Sequence, residues 1–331
     1  MLSHRKWART GLAALMVVAL LLGALAWAAK PPKPPPEPPP PPPVTYKITW
    51  LGTLGGLESW LADMNDFGDV VGRSATSTGE LHPFLNQVQP DGTRTMDDLN
   101  DLISIPEGWE LVVVNAINNE GQIAGGARTP DGKKFYRYTP GFPLENLGTK
   151  DENGGIDDMN NNGTVVGSEP YGAFRYRYGA DAEKEFLSDL INPESGWVLA
   201  YAEAVNDAEW IAGGGYLDGE GRAFLFIPAA EGETYATVVD LGPEIDHIHD
   251  INELGHVVGT LGDLFDHHAF LYTPLDGLMD LGAFDRKSRS YACGVNDLGQ
   301  VVGYCYKWRD RSTLFLALPP TYELLNVDDL L

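Results

Sequence analysis

One pattern of apolar and polar positions returns six times along the chain. Each copy has an apolar residue, an asparagine, two or three polar or small residues, a glycine, and a short apolar run that ends in a second glycine. The asparagines are Asn65, Asn118, Asn160, Asn206, Asn252 and Asn296, spaced 42 to 53 residues apart. Asparagine enters turns by bonding its own backbone, and the first glycine supplies the left-handed conformation of a three-residue hairpin loop. Each copy therefore predicts a β-hairpin.

Two more strands follow each hairpin. An aromatic strand begins 14 to 19 residues after the asparagine, as in the segments 223–226 and 269–272. A fourth apolar stretch follows, as in 238–242 and 278–282, in the latter case after the hairpin dipeptide Asp276-Gly277. In the fourth repeat Glu209 stands where the others have the turn glycine, so we expect strain or a different turn there.

Four short antiparallel strands per repeat cannot bury their own faces, so the repeats must stack on one another. We therefore predict an all-β fold, a six-bladed β-propeller of four-stranded antiparallel blades over residues 45–331. The alternative is an open β-solenoid, which would need atypical capping repeats. The segment Tyr46–Thr53 resembles a surplus fourth strand that could complete the last blade and close the ring.

The N-terminus predicts export. Residues 1–28 combine a basic start, an uncharged apolar stretch and small residues in the A-x-A spacing that a signal peptidase cleaves, so we expect cleavage near Ala28. The stretch also has the length of a membrane-spanning helix, which leaves an uncleaved anchor as the alternative. Residues 29–44 form a proline-rich linker, which we expect to be a stiff polyproline II spacer. The predicted location is secreted, periplasmic or on the cell surface.

The net negative charge of the chain excludes some classes of binding partner. The 47 acidic residues outnumber the 23 basic ones, and a field of that sign repels phosphate backbones and anionic lipid. We expect no nucleic acid partner, membrane contact only through an uncleaved N-terminal helix, and a monomer. The two cysteines, Cys293 and Cys305, flank a predicted hairpin turn, so they form either a disulfide in an oxidising compartment or two free buried thiols.

Several segments resemble a known family. They are His268–Tyr272, Asp280–Gly282, Val295–Gly303 and Leu51–Gly56. These segments resemble the HAF-repeat family of probable bacterial extracellular repeat proteins, and the likeness covers the chain after the proline tract. The resemblance implies export and a repeat fold. It brings no agreed activity and no catalytic residue.

Two groups of residues are candidate metal ligands. Repeats one, three and five carry Asp63, Asp158 and Asp250 two positions before the asparagine, where the other repeats have alanine or glycine. If this strand is innermost, the carboxylates form a ring that could hold Ca²⁺, whereas the alternative is that they bond nearby turn amides or simply face solvent. His247 and His249 would share one strand face at a spacing that suits a metal, although they could equally be surface histidines.

No catalytic motif stands out. The chain has no nucleophile elbow, no His-Glu-x-x-His and no phosphate-binding loop. We favour a non-enzymatic module that binds a protein or glycan partner through the turns at one face. The alternative is a propeller hydrolase or lyase that acts on an extracellular polymer with Asp63, Asp158 and Asp250 in its channel. Convergent carboxylates of raised pKa would favour the enzyme, whereas a plugged channel would favour binding.

Overall fold

The computed structural model describes residues 49–150, 154–179, 183–263, 266–285, 288–307 and 312–330. The predicted signal peptide or anchor and the proline-rich linker, residues 1–28 and 29–44, lie outside this range. Among the described residues, no helix is long and apolar enough to cross a membrane.

The fold is a six-bladed β-propeller in which each blade is a meander of four consecutive antiparallel strands. Blades 1 to 3 contain β1 (Gly55–Met64), β2 (Val70–Thr76), β3 (Leu81–Val88), β4 (Arg94–Asp98); β5 (Glu110–Ile117), β6 (Ile123–Thr129), β7 (Gly132–Tyr138), β8 (Glu145–Thr149); β9 (Gly155–Met159), β10 (Val165–Glu169), β11 (Gly172–Tyr176), β12 (Lys184–Phe186). Short helical turns follow β4 at Leu99–Leu102 and β12 at Leu187–Asp189. The predicted fold class is confirmed, and the solenoid alternative is not adopted.

Blades 4 to 6 repeat the arrangement. Their strands are β13 (Trp197–Val205), β14 (Ile211–Leu217), β15 (Glu220–Ile227), β16 (Thr237–Gly242); β17 (Ile245–Ile251), β18 (Val257–Asp263), β19 (Asp266–Thr273), β20 (Gly277–Gly282); β21 (Arg289–Val295), β22 (Val301–Tyr306), β23 (Thr313–Ala317), β24 (Leu324–Asn326). A last helical turn covers Val327–Leu330.

The asparagine turns have the predicted chemistry. In blade 2, Asn118 Oδ1 accepts the backbone amides of Glu120 at 3.1 Å and Gln122 at 2.9 Å, and Gly121 has φ +70°. In blade 4, Glu209 keeps the same turn and takes φ +59°. That conformation is strained for a residue with a Cβ, as the sequence predicted. The Glu209 carboxylate is held by Arg177, with an Nη2 to Oε2 distance of 2.8 Å.

A β-bulge interrupts the first strand of every blade at the same position. The extra residue is the one three places before the turn asparagine, and it has no partner on the second strand. The repeated second glycine makes room for this bulge. A Cβ added to Gly125 would meet the carbonyl oxygen of Val113, and one added to Gly259 would meet that of His247. The glycine that ends each apolar run is therefore explained by the close approach of a backbone.

The same asparagines link the blades. Nδ2 of Asn65, Asn118, Asn160, Asn206 and Asn252 donates to the carbonyl oxygen of the next turn asparagine, at 2.8 to 3.3 Å. We call this the asparagine relay. A single residue therefore shapes its own turn and bonds to the following blade.

The hydrophobic core lies between the blades. Five clusters of buried residues each fill one junction between consecutive blades, from the junction of blades 1 and 2 to that of blades 5 and 6. Within the described ranges, no cluster fills the junction of blade 6 with blade 1.

The predicted closing strand is not used as expected. The fourth strand of blade 6 is β24, supplied by the C-terminal segment, so the last blade needs no strand from the N-terminus. The described part of Tyr46–Thr53 lies on blade 1 instead, where the Leu51 carbonyl oxygen accepts from Asn86 Nδ2 at 3.4 Å. For this part of the segment, the prediction that it completes blade 6 is wrong.

Candidate functional site

A cavity of about 550 Å³ lies among the first strands of the six blades. The bulge residues of all six strands line it: Ala62, Asn115, Asp157, Glu203, His249 and Cys293. Because a bulge takes its extra residue out of the ladder, the side chain can be aimed away from the sheet. We call this space the channel cavity.

The bulge residues are chemically unlike one another, although they occupy one equivalent position of the repeat. The turn asparagine, by contrast, is the same in all six blades. A repeat position that holds the same residue in every blade is needed for the blade structure itself. The bulge position differs between blades and faces a cavity, so it is where a binding function would be placed. Sequence reasoning missed Asn115, Asp157 and Glu203, and it assigned His249 and Cys293 to other roles. Aligning the column three places before each asparagine would have found all of them.

The three alternate-blade aspartates do converge on the channel cavity. Their carboxylates are already bonded, however. In each residue Oδ1 accepts the amide of the next residue, while Oδ2 accepts at 2.8 Å an amide of the following blade, from Ile117, Val205 and Val295 respectively. Asp63, Asp158 and Asp250 therefore join blades 1 to 2, 3 to 4 and 5 to 6, which explains the period of two repeats.

The predicted calcium ring stays a prediction. In the described part of the chain, no group of three or more His, Cys, Asp or Glu residues is arranged to hold a metal ion. The amides that bind the three aspartates also occupy oxygen lone pairs that Ca²⁺ would need.

The acidic side chains of the cavity have raised pKa values. Burial, with the charge of Asp158 as a smaller cause, raises the pKa of Asp63 and of Asp250 to about 7. Burial also raises the pKa of Asp158, that of Glu203 to about 7 and that of Asp157 to about 6. No lysine or arginine is among the described residues that line the cavity. Burial is the main cause in each case, and the nearby charges of Lys150 and His247 offset only part of it for Asp157 and Glu203.

The two candidate histidines are placed differently. His249 lies in the channel cavity, with Nε2 3.3 Å from Thr260 Oγ1, and burial lowers its pKa. His247 is largely exposed, and its Nδ1 is 3.7 Å from Glu203 Oε1. The two ring centroids are 6.5 Å apart. The metal site predicted for this pair gains no support from the described residues.

The two cysteines are free in the structure. Cys305 pairs in register with Ser290, whereas Cys293 is the bulge residue beside Gly294. Three residues along a strand span about 10 Å, which exceeds the reach of a disulfide. Of the two alternatives, the arrangement is that of free thiols, with Cys305 buried and Cys293 exposed to the cavity.

Comparisons with known proteins define the fold and no finer class. No family model matches the sequence and no curated protein matches it, so membership of the HAF-repeat family is not confirmed. A puromycin hydrolase structure is 12% identical, with a TM-score of 0.51 over 79% of this chain and 43% of its own. Virginiamycin B lyase from Staphylococcus aureus is 10% identical, with a TM-score of 0.47 over 84% of this chain and 86% of its own.

TolB from Acinetobacter baumannii is 10% identical, with a TM-score of 0.43 over 74% of this chain. The match spans 64% of the TolB chain and less than half of the puromycin hydrolase. At these identities the likeness shows the β-propeller fold alone. The protein is a six-bladed β-propeller, and its function has to be argued from its own cavity.

Proposed function

We propose that the protein is a binding propeller that takes a cationic ligand into its channel cavity. The observation that carries this proposal is the convergence of five acidic side chains on a cavity whose described lining holds no lysine or arginine. Asp63, Asp158 and Asp250 each accept an amide of the next blade at 2.8 Å. Asp157 and Glu203, from the bulges of blades 3 and 4, have only longer bonds, from Ser168 Oγ at 3.3 Å and from the Ile248 amide at 3.4 Å, and are the freest to meet a ligand. A cation would add to the partial charge compensation that Asp157 has from Lys150 and Glu203 has from His247.

The binding should depend on pH. A bound cation favours the ionised carboxylates, whereas the empty cavity holds protons with pKa values of about 6 for Asp157 and about 7 for Glu203. Protons therefore compete with the ligand at low pH. We expect the affinity to rise from pH 5.5 to pH 8.

Calorimetry with spermidine tests the proposal. The full chain should bind spermidine at pH 8, and Glu203→Gln should weaken binding at least about fivefold because one charge is lost from a partly desolvated site. Glu220→Gln is the matched control, since Glu220 is an exposed glutamate on β15 outside the cavity. Absence of binding at pH 8, or an equal loss in both variants, would contradict the proposal.

Ca²⁺ is one cation that the cavity could take, through the predicted ring of Asp63, Asp158 and Asp250. Titration of the full chain with CaCl₂ in the calorimeter tests this ring, and absence of a binding signal would contradict it.

We also propose that the protein is exported, which is supported by the sequence of residues 1–28. Fractionation of cells that express the C-terminally tagged full chain tests it, and a tag found only in the cytoplasm would contradict it. An exported module of this kind would meet a cationic group on a protein or glycan partner, or a free amine.

A second candidate is the hydrolase or lyase. It is favoured by the pKa values of about 6 and about 7 for Asp157 and Glu203 on neighbouring blades, which suit a general base and acid near neutral pH. The aspartates that the sequence suggested for this role are engaged with backbone amides. A screen of extracellular polymers tests the candidate, and any activity should be lost in both Asp157→Asn and Glu203→Gln.

A further inference from the structure

The junction of blade 6 with blade 1 leaves apolar residues uncovered. Val302 of β22 is 48% exposed, whereas its five equivalents are fully buried: Val71, Ala124, Val166, Ala212 and Val258. On the opposite side, Leu61 and Met64 of β1 are 66% and 62% exposed, whereas their equivalents in the other blades are at most 8% exposed. We call this surface, formed by Leu61, Met64, Val302 and Leu314, the seam.

The asparagine relay also ends at the seam. Asn296 Nδ2 donates to Gln300 Oε1 of its own turn at 2.8 Å, and the described contacts include no bond from Asn296 to blade 1. The same repeat that packs tightly at five junctions thus leaves two apolar faces open at the sixth.

The seam is continuous with the acidic cavity. Leu61, Met64 and Val302 line the channel cavity itself. Val302 and Cys293 also line a second, apolar pocket of about 350 Å³ on blade 6, together with Tyr304 and Leu314. Carboxyls and uncovered apolar side chains therefore border the same channel cavity, and the apolar pocket adjoins it at Val302 and Cys293. The size of the channel cavity is in the range of small-molecule sites.

We propose that the ligand of the channel cavity is an amphipathic amine. Its ammonium meets Asp157 and Glu203, and its apolar body lies in the seam against Val302 and Leu314. This inference rests on the proposed function and names its ligand class. An anionic amphiphile would be repelled by the carboxyls, and a hydrophilic polyamine would leave the apolar faces in water.

Calorimetry with matched probes tests the inference. On the full chain at pH 8, 4-phenylbutylamine should bind at least about tenfold tighter than n-butylamine, because both carry the same ammonium and only the first has an apolar body. The neutral 4-phenylbutan-1-ol should bind at least about tenfold more weakly than the amine. Equal affinities for the two amines would overturn the inference. If spermidine or n-butylamine binds but the phenyl group adds no affinity, the proposed function stands and this inference falls. If no amine binds, the proposed function and this inference both fall.

A pair of variants locates the apolar body. Leu314→Ser should reduce the advantage of 4-phenylbutylamine about fivefold and leave n-butylamine unchanged. Leu275→Ser is the control, since Leu275 is a 90% exposed leucine of a blade 5 turn outside both pockets. If Leu314→Ser does not fold, Val302→Thr gives the same readout with little change in shape. An unchanged ratio in a folded seam variant would overturn the inference.

Discussion

Five junctions of this propeller are filled and the sixth is open, although the repeats that form them carry the same apolar pattern. Met159 at the junction of blades 2 and 3 is 4% exposed, whereas Met64, the same residue at the same repeat position, is 62% exposed at the seam. The chain itself supplies a reason. Consecutive blades are held together by a covalent link, whereas blades 6 and 1 must close a loop of the whole domain, which costs more conformational entropy.

The bonds of Asp63, Asp158 and Asp250 add to the difference between the filled junctions and the seam. They join blades 1 to 2, 3 to 4 and 5 to 6, so the junctions of blades 2 with 3 and 4 with 5 pack without them. In this alternation the junction of blade 6 with blade 1 is one of those without an aspartate. The seam therefore lacks both the aspartate bond and a direct covalent link between its two blades.

The largest expected difference in stability is between alanine variants of the two methionines. Met159→Ala should lower the free energy of unfolding by about 2–4 kcal/mol because it leaves a cavity in a filled junction. Met64→Ala should change it by less than about 0.5 kcal/mol because the side chain is exposed. Urea unfolding followed by fluorescence measures both. Equal losses would show that the seam is closed in solution.

The next largest expected effect is a dependence of the folding stability on pH. Asp250 joins blades 5 and 6 with a pKa of about 7, above the unfolded value of 3.8, so the folded state binds more protons between these values. Stability should therefore fall as the pH rises from about 4 to 7, by on the order of a few kcal/mol from this group.

In Asp250→Asn this part of the slope should vanish. Asp240→Asn, at an exposed position of blade 4, is the control and should keep the wild-type slope. Urea midpoints at pH 5 and pH 8 measure the effect. A slope that is unchanged in Asp250→Asn would contradict the assignment.

The asparagine relay should contribute a smaller amount. Asn118→Ala removes the turn bonds and the bond to blade 3, whereas Asn296→Ala removes only turn bonds. The first variant should be less stable than the second by about 1 kcal/mol, the net value of one hydrogen bond. Thermal unfolding of both variants gives the comparison, and equal losses would argue that the relay does not stabilise the junctions.

The smallest effect concerns the thiols. Cys293 is exposed at the channel cavity next to the seam, whereas Cys305 is 4% exposed in the junction of blades 5 and 6. Ellman's reagent should therefore modify one thiol per native chain at pH 8 and the second only after unfolding. Cys293→Ser should abolish the native reaction. Two reactive thiols in the native protein would show that the filled junction opens.

The fold was largely predictable because its signals are local. The asparagine turns, the aromatic third strands and even the unusual Glu209 turn were found from single repeats. The site was predicted only in part. Asp63, Asp158 and Asp250 were recognised by their alternation, and bonding to nearby turn amides was one of the alternatives, but their bonds to the next blade were not predicted. Asp157 and Glu203 were missed because nothing in a single repeat marks a bulge residue as facing a cavity.

The sequence alone therefore determined the four-stranded blade, the number of blades and the position of each asparagine turn, since these repeat with a period of about 45 residues. The tertiary structure decided which residues meet in the channel cavity, how far burial raises their pKa values, and that blade 6 carries its own fourth strand. It also decided that one junction of six stays open. These properties depend on distances between residues far apart in the chain, which the repeat pattern does not encode.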